Sequence, residues 1–383
     1  MDEDSSKALE LCFHSSILEI PSDEWNSLSG TSNPFIRYEF LAALENNQCV
    51  GEQFGWYPYH CSVRNTSGTL VGVCPLYIKT NSYGEFVFDW SWASAYEQVG
   101  LDYYPKLISS VPYNPVTGNR LLSNDPVVKS VMIEQIINIS EKLKLSGMHW
   151  LFTTNEETQL CEKHHLQLRL GCQYHWKNHN YTNFDDFLST FVSRKRKKVN
   201  RERRMVKEQN ISIQIIHGDE ATEQQIEIAQ EFYQNTFDRK SGIPTLNVNF
   251  FKEICSTMGN QIVFMFATLN HQYIACAIAL RSNEALYGRF WGCENDYHSL
   301  HFETCFYQGI NYCIENNLQH FEPGAQGEHK ITRGFLPTKT WSAHYISHPQ
   351  FKEPINAFCR REQQTMKTQC SELLKLSPYR LST

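Results

Sequence analysis

The order of elements in this sequence predicts an α/β fold built twice along one chain. Three features of the first half recur, in the same order, in the second. A β-rich hairpin comes first: YHCSVRNTSGTLVGVCPLYIKT turns at Asn65–Gly68, and IVFMFATLNHQYIACAIALRS turns at Asn270–His271. An aromatic strand follows, GEFVFDWSWASAYE in one half and EALYGRFWGCENDY in the other. The third is a helix start after a leucine, LDYYPKLISSV against LHFETCFYQGI. Each helix leads to a last apolar strand, GMHWLFTT or LQHFEPGA. The order is strand, strand, strand, helix, strand, performed twice, with domains expected at 10–176 and 177–383.

Helical segments precede both hairpins. PFIRYEFLAALE is one, and TEQQIEIAQEFYQNTFDRK is the other, with Ile226, Ala229, Phe232, Tyr233 and Phe237 at near-helical spacing. The chain has 383 residues, 41% hydrophobic, which is too long for one ordinary domain and apolar enough for real cores. It lacks a run of about 18 apolar residues, so no membrane span is expected. MDEDSSKALELCF has no basic-then-apolar order, and the 13 cysteines are scattered without CxxC spacing. Reduced thiols, a cytoplasmic location and no bound metal are the expectations. The sequence carries no GxSxG elbow, HExxH helix, Walker loop or dinucleotide fingerprint. Serine hydrolase, zinc protease, kinase and dehydrogenase chemistries lack their key residues.

The densest cluster of chemically able groups is FEPGAQGEHKITRGF, Phe321 to Phe335. Glu322, at a strand end, is placed to take a proton. Gln326, His329 and Lys330 are placed to orient a carbonyl or bind a phosphate, with Arg333 a further charge nearby, while Gly324 and Gly327 let backbone approach a ligand. The plainer reading is a solvated surface turn. Upstream, His301 and Glu303 sit at a helix start beside this loop. Glu303 also suits the helix dipole, and His301 simple packing. In the first half, Trp90 and Trp92 share a face if their segment is a strand. They form either core or an aromatic floor with Tyr96 and Glu97 at its rim, and Tyr103, Tyr104 and Lys106 offer contacts where the next helix is expected to begin.

Net charge is −6, but RKRKKVNRERRMVK, Arg194 to Lys207, holds nine basic residues and one acidic one, a local +8. The run reads as an amphipathic helix docked through Phe184, Phe187, Leu188, Phe191, Val192, Val199 and Val206, with Arg194, Lys197, Arg201 and Arg204 on its charged face. Such a face is either merely solvated or binds a polyanion or an anionic lipid headgroup.

Several stretches taken together, among them NPFIRYEFLAALE, VPYNPVTGNRLL, SRKRKKVNRERR and FEPGAQGEHKITRGFLPT, resemble the FemAB-like family over nearly the whole chain. The resemblance implies two tandem GNAT-like domains, each a mixed, mainly antiparallel sheet flanked by helices. It further implies N-acyl transfer to a small-molecule or peptide amine, with the polar site mostly in the second domain. In that reading Glu322, His329 and Lys330 are catalytic, and Gln326, Arg333, His301, Glu303, Trp92, Tyr96, Glu97 and Tyr104 bind substrate. No permanently bound cofactor is expected. The donor is either an aminoacyl-tRNA, as in the better understood Fem relatives, or an acyl-CoA. The turns that would cradle a CoA pyrophosphate, AYEQVGLDYYPK and ENDYHSLHFETC, hold one glycine and none, which disfavours acyl-CoA. The rivals are a conventional acetyl-CoA N-acetyltransferase and a non-catalytic ligand-binding protein.

Overall fold

The computed structural model describes residues 9–240 and 242–380. The chain forms two compact units, one of 9–172 with Lys339–Thr368, the other of Gln173–Thr338 with 369–380. A single division near 176/177 therefore gives way to a chain that leaves the first unit, builds the second, and then returns. The return supplies a strand: Leu336–Ile346 pairs antiparallel with Gly147–Thr153 through Trp341–Ile346. Nothing in the local pattern of TKTWSAHYI says which sheet it joins, because strand pairing is decided at long range.

The first unit contains a small antiparallel sheet, Glu10–His14, His60–Arg64 and Leu70–Cys74. The Asn65–Gly68 turn forms as expected, with the Asn65 side chain accepting from the Ser67 and Thr69 amides and Gly68 at φ 80°. A second sheet places Trp56–Pro58, Tyr77–Lys79, Lys106–Ser109 and Gly147–Thr153 in that order. Lys106–Ser109 and Gly147–Thr153 run parallel, joined by the helix Pro126–Lys142. Asp125 caps that helix by accepting from the Val127 amide, and proline follows it at the first helical position. Val128, Met132, Ile133 and Ile136 then face a core of Cys61, Val63, Leu107, Met148 and Trp150.

Two assignments in this half are corrected. GEFVFDWSWASAYE is a loop leading into the helix Trp90–Gln98, not a strand. Trp92 and Tyr96 are buried and Trp90 exposed, a helical i, i+4 pattern that Trp90/Trp92 alternation had masked. LDYYPKLISSV does not open a helix. It runs into the strand Lys106–Ser109, because Pro105 disfavours helical backbone at Tyr104.

In the second unit the expected order holds. Ile262–Leu269 and Gln272–Arg281 form an antiparallel hairpin turning at Asn270 and His271, both at positive φ. Ala285–Cys293 follows, then helical residues from Leu300 to Glu315, then His320–Glu322. The strands Ala285–Cys293 and His320–Glu322 run parallel. Each unit thus owns one parallel strand–helix–strand crossover. The duplication is real, but in the first half it falls one strand later than the aromatic motifs indicated. The basic helix, Ser193–Glu208, buries Val199 and Val206 and leaves Arg194, Lys197, Arg201 and Arg204 exposed.

All thirteen cysteines are free, and among them only Cys12 is exposed. Burial pushes up the thiols of Cys74, Cys161, Cys255, Cys276, Cys313 and Cys359, which suppresses their thiolates. A chromogenic disulfide reagent is expected to titrate one thiol quickly in the native protein and all thirteen in denaturant. Replacing Cys12 by serine should abolish the fast phase. Cross-linked cysteine peptides from protein kept from air would contradict this.

Candidate active site

The parallel strands of the second unit pair only through Ala285–Tyr287 and His320–Glu322. Beyond that point they part: Gly288–Cys293 continues along Ala275–Ala279, whereas the other chain turns off through Pro323 and Gly324. A cavity of about 300 Å³ opens in the split, lined by Arg289, Trp291, His301, Cys305, Gln326, His329 and Lys330 among others. Every lining residue belongs to the second unit. Crevices at the carboxyl ends of diverging parallel strands are common ligand sites because no ladder hydrogen bonds fill them.

Two backbone irregularities shape the cavity. Ile278 pairs with Phe290 but Ala279 with Gly288, so Arg289 is the extra residue of a β-bulge. A bulge re-aims its side chain, and here that side chain lines the cavity. On the opposite wall, Glu303–Tyr307 forms a π-type turn within the helix that carries His301 and Cys305.

The electrostatics are unusual for so small a space. Arg289 is almost wholly buried with its Nη2 3.6 Å from the Glu322 carboxylate, and burial draws the guanidinium down to about 10. Lys330 is 4% exposed, and its Nζ donates to the Gly324 carbonyl at 2.8 Å. Burial, with Arg289 close by, pulls the Lys330 ammonium down to about 8. His329 stays exposed at the mouth, held below its usual range by partial burial and by Arg333 and Lys330. The cavity lining therefore offers two cations and an imidazole that is neutral at pH 7, while Glu322, engaged with Arg289, is not among the lining residues.

The other expected site residues divide clearly. Gln326 and His301 line the cavity, with His301 edge-on to Trp291 and Phe306. Arg333 does not line it. Its guanidinium pairs with Glu202 at 2.7 Å, donates to the Tyr307 hydroxyl and lies 3.5 Å from the Phe302 ring centroid. Glu303 is likewise spent, bridging Arg203 at 3.2 Å and accepting from Gln308 at 2.7 Å. These two pairs fasten the basic helix to the unit, so both residues are structural clamps. Replacing Glu202 by glutamine keeps the shape and removes the charge. It should cost about 1–3 kcal/mol in a urea titration, the scale of a hydrogen bond to a charged group.

In the first unit, Trp92 packs edge-on to His149 and His344 beneath the Arg169 guanidinium, and Tyr96 stacks on Phe351 at 3.9 Å. Tyr104 shares a hydrogen bond with Ser82 at 2.8 Å, and Glu97 is exposed on its helix. Trp92 and Tyr96 are thus core residues, and no aromatic floor forms from Trp90 with Trp92. Arg289, Trp291 and Cys305 were missed by sequence reasoning. The available signal was Arg289 itself, a lone charge inside the β-rich run ALYGRFWG.

Comparison with known proteins agrees with this architecture. A family model for FemAB-like proteins, described as peptidoglycan biosynthesis/recognition, matches residues 16–381. No curated protein matches the sequence. Among solved structures, FemX aligns with a TM-score of 0.55 at 11% identity, covering 91% of this chain and 100% of that one. The C-terminal domain of a putative lysylphosphatidylglycerol synthetase from Agrobacterium fabrum gives 0.53 at 8% identity, with 91% and 96% covered. L-PGS from Bacillus licheniformis gives 0.51 at 8% identity, with 86% and 97% covered. At such identities the likeness is one of fold, here two tandem GNAT-like domains. With the family model spanning nearly its whole length, the chain belongs to the FemAB-like family.

Proposed function

We propose that the protein is an N-acyltransferase that passes an acyl or aminoacyl group to an amine, with the reaction run in the cavity of the second unit. One observation carries this reading: a buried lysine tuned to about 8 beside a buried bulge arginine, under an exposed neutral histidine. In the reaction the acceptor nitrogen attacks the acyl carbonyl carbon. A C–N bond forms, the carbonyl oxygen becomes an oxyanion, and the bond to the donor's oxygen or sulfur then breaks. Lys330, as ammonium, and Arg289 stabilise the oxyanion in a site of low dielectric. His329 accepts the proton shed by the attacking amine and returns it to the leaving group. Glu322 fixes Arg289 rather than serving as the base, since its carboxylate faces the guanidinium.

The donor reading rests on the basic helix. Arg203, Arg204 and Lys207, with Asn183, Asn200 and a single acid, Asp185, are among the residues that line a second, shallower groove of about 540 Å³. Such a surface suits an RNA-borne donor, because each phosphate neutralised releases counterions. The experiment measures binding of aminoacyl-tRNA, and separately acetyl-CoA, at two salt concentrations, together with transfer to amine acceptors. The double variant Arg201→Glu, Arg204→Glu should weaken tRNA binding about tenfold or more and reduce its salt slope by roughly two. Tight acetyl-CoA binding without tRNA binding would replace the RNA donor with a conventional acetyl donor. No transfer from either donor class would overturn the enzyme reading.

A further inference from the structure

The loop between Tyr77–Lys79 and the helix Trp90–Gln98 is inverted in polarity. Its polar side chains point inward. Ser82, Glu85 and Asp89 are buried, and all three meet the Lys106 ammonium, at 2.9, 2.8 and 2.5 Å. Its aromatic side chains point outward: Tyr83 is 70% exposed, Phe88 54%, Trp90 41% and Phe86 39%. Phe86 adopts φ 58°, a conformation that bulky residues avoid, so the fold accepts backbone strain while this ring faces outward. From Tyr83 to Trp90 no charged side chain is exposed, because both acids of the segment are turned in onto Lys106.

We propose that this loop is an anchor that enters the interfacial region of a lipid bilayer. Aromatic side chains clustered on a loop tip with no exposed charge are costly in water. A bilayer interface receives them without desolvating a charge, and it favours tryptophan and tyrosine at the headgroup level with phenylalanine deeper. The charge distribution selects the lipid. The segment itself presents no exposed cation, and the first exposed charges that follow it in sequence, Glu97 and Asp102, are acidic, so it offers nothing to attract an anionic headgroup and suits a neutral surface. No helix among the described residues is long and apolar enough to cross a membrane, so the contact is peripheral.

The test is cosedimentation of the full chain with pure phosphatidylcholine vesicles at 0.15 M salt, which also suppresses binding through the basic helix. Partition of the wild type is expected, with at least a tenfold loss in the double variant Phe86→Asn, Phe88→Ser. Asparagine tolerates the positive φ at position 86, and both side chains are exposed, so the fold should persist by circular dichroism. Trp90 gives an independent reading. The vesicle-induced difference in emission between wild type and Trp90→Phe should shift to the blue. Failure of the wild type to partition would overturn the proposal, as would partition unchanged in the double variant. A wild-type dimer in light scattering that becomes monomeric in the double variant would also overturn it, assigning the patch to self-association.

Discussion

Replacing Lys330 with methionine is expected to lower turnover by a factor of about 10² to 10³, the usual consequence of losing one oxyanion donor. Folding should survive. A lysine whose folded pKa is depressed to about 8 binds its proton less well folded than unfolded. That penalty is fully present below pH 8 and fades between pH 8 and the ordinary lysine range. Methionine removes the penalty along with the hydrogen bond to Gly324, so the denaturation midpoint at pH 7 should fall by no more than about 1 kcal/mol equivalent. The pH profile separates catalysis from packing. In the wild type the acid limb falls below the ordinary histidine range, because His329 must be neutral, and the alkaline limb falls near 8, as Lys330 loses its proton. Lys330→Arg should keep part of the activity and carry the alkaline limb upward, since arginine stays charged. An unmoved alkaline limb in Lys330→Arg would remove Lys330 from the oxyanion role.

The segment that carries this argument was legible in the sequence, though not residue by residue. FEPGAQGEHK announced itself by putting proton-handling groups where a strand ends, and Gln326, His329 and Lys330 do line the cavity. Arg333 belongs to the same motif, and Glu303 to the helix start upstream of it, and both were just as conspicuous. Their partners, Glu202 and Arg203, lie about a hundred residues away, so spacing could not reveal that they are spent on clamping a helix. Arg289 was hidden for the opposite reason. Its role depends on a one-residue bulge, and a bulge leaves no mark on a hydrophobic pattern. The fold divided along the same line. Turns fixed by local chemistry, such as Asn270–His271, were readable, whereas the return of Leu336–Ile346 to the first unit depends on long-range pairing. In the aromatic stretch before Gln98, local signals conflicted: the same rings suit alternation and an i, i+4 face, and burial of Trp92 and Tyr96 settled it as helix.

Lys106→Met should be the most destabilising single change in the first unit, by about 3–5 kcal/mol near neutral pH, the cost of stranding a buried charge. Lys106 is fully buried and is the ammonium shared by Glu85 and Asp89, with the Tyr103 ring 5.1 Å away. Its dependence on pH follows from signs. Burial raises Glu85 to about 7 even with Lys106 present, so protonating Glu85 stabilises the fold, and that contribution is lost as pH rises from the ordinary carboxylate range through 7. Burial would also raise Asp89, but Lys106 outweighs it and leaves Asp89 low, so its contribution is present above the ordinary aspartate range and lost in acid. Without the ammonium both carboxyls titrate higher, and the variant loses stability over a wider span of rising pH. Lys79, drawn down to about 7 by burial, and His149, held neutral by burial and Lys106, face the same cluster. Lys79 titrates in both proteins, and its share largely cancels in the difference. His149 gains basicity in the variant, which adds stability only toward acid. The gap between wild type and variant in urea titrations should therefore be small near pH 5 and widen toward pH 8, with the urea slope unchanged. Adding Asp89→Asn to the variant should recover about 1–3 kcal/mol at pH 8 by removing one stranded charge. A gap that stays constant with pH would mean that Lys106 acts through packing alone and that the two acids are not held by its charge.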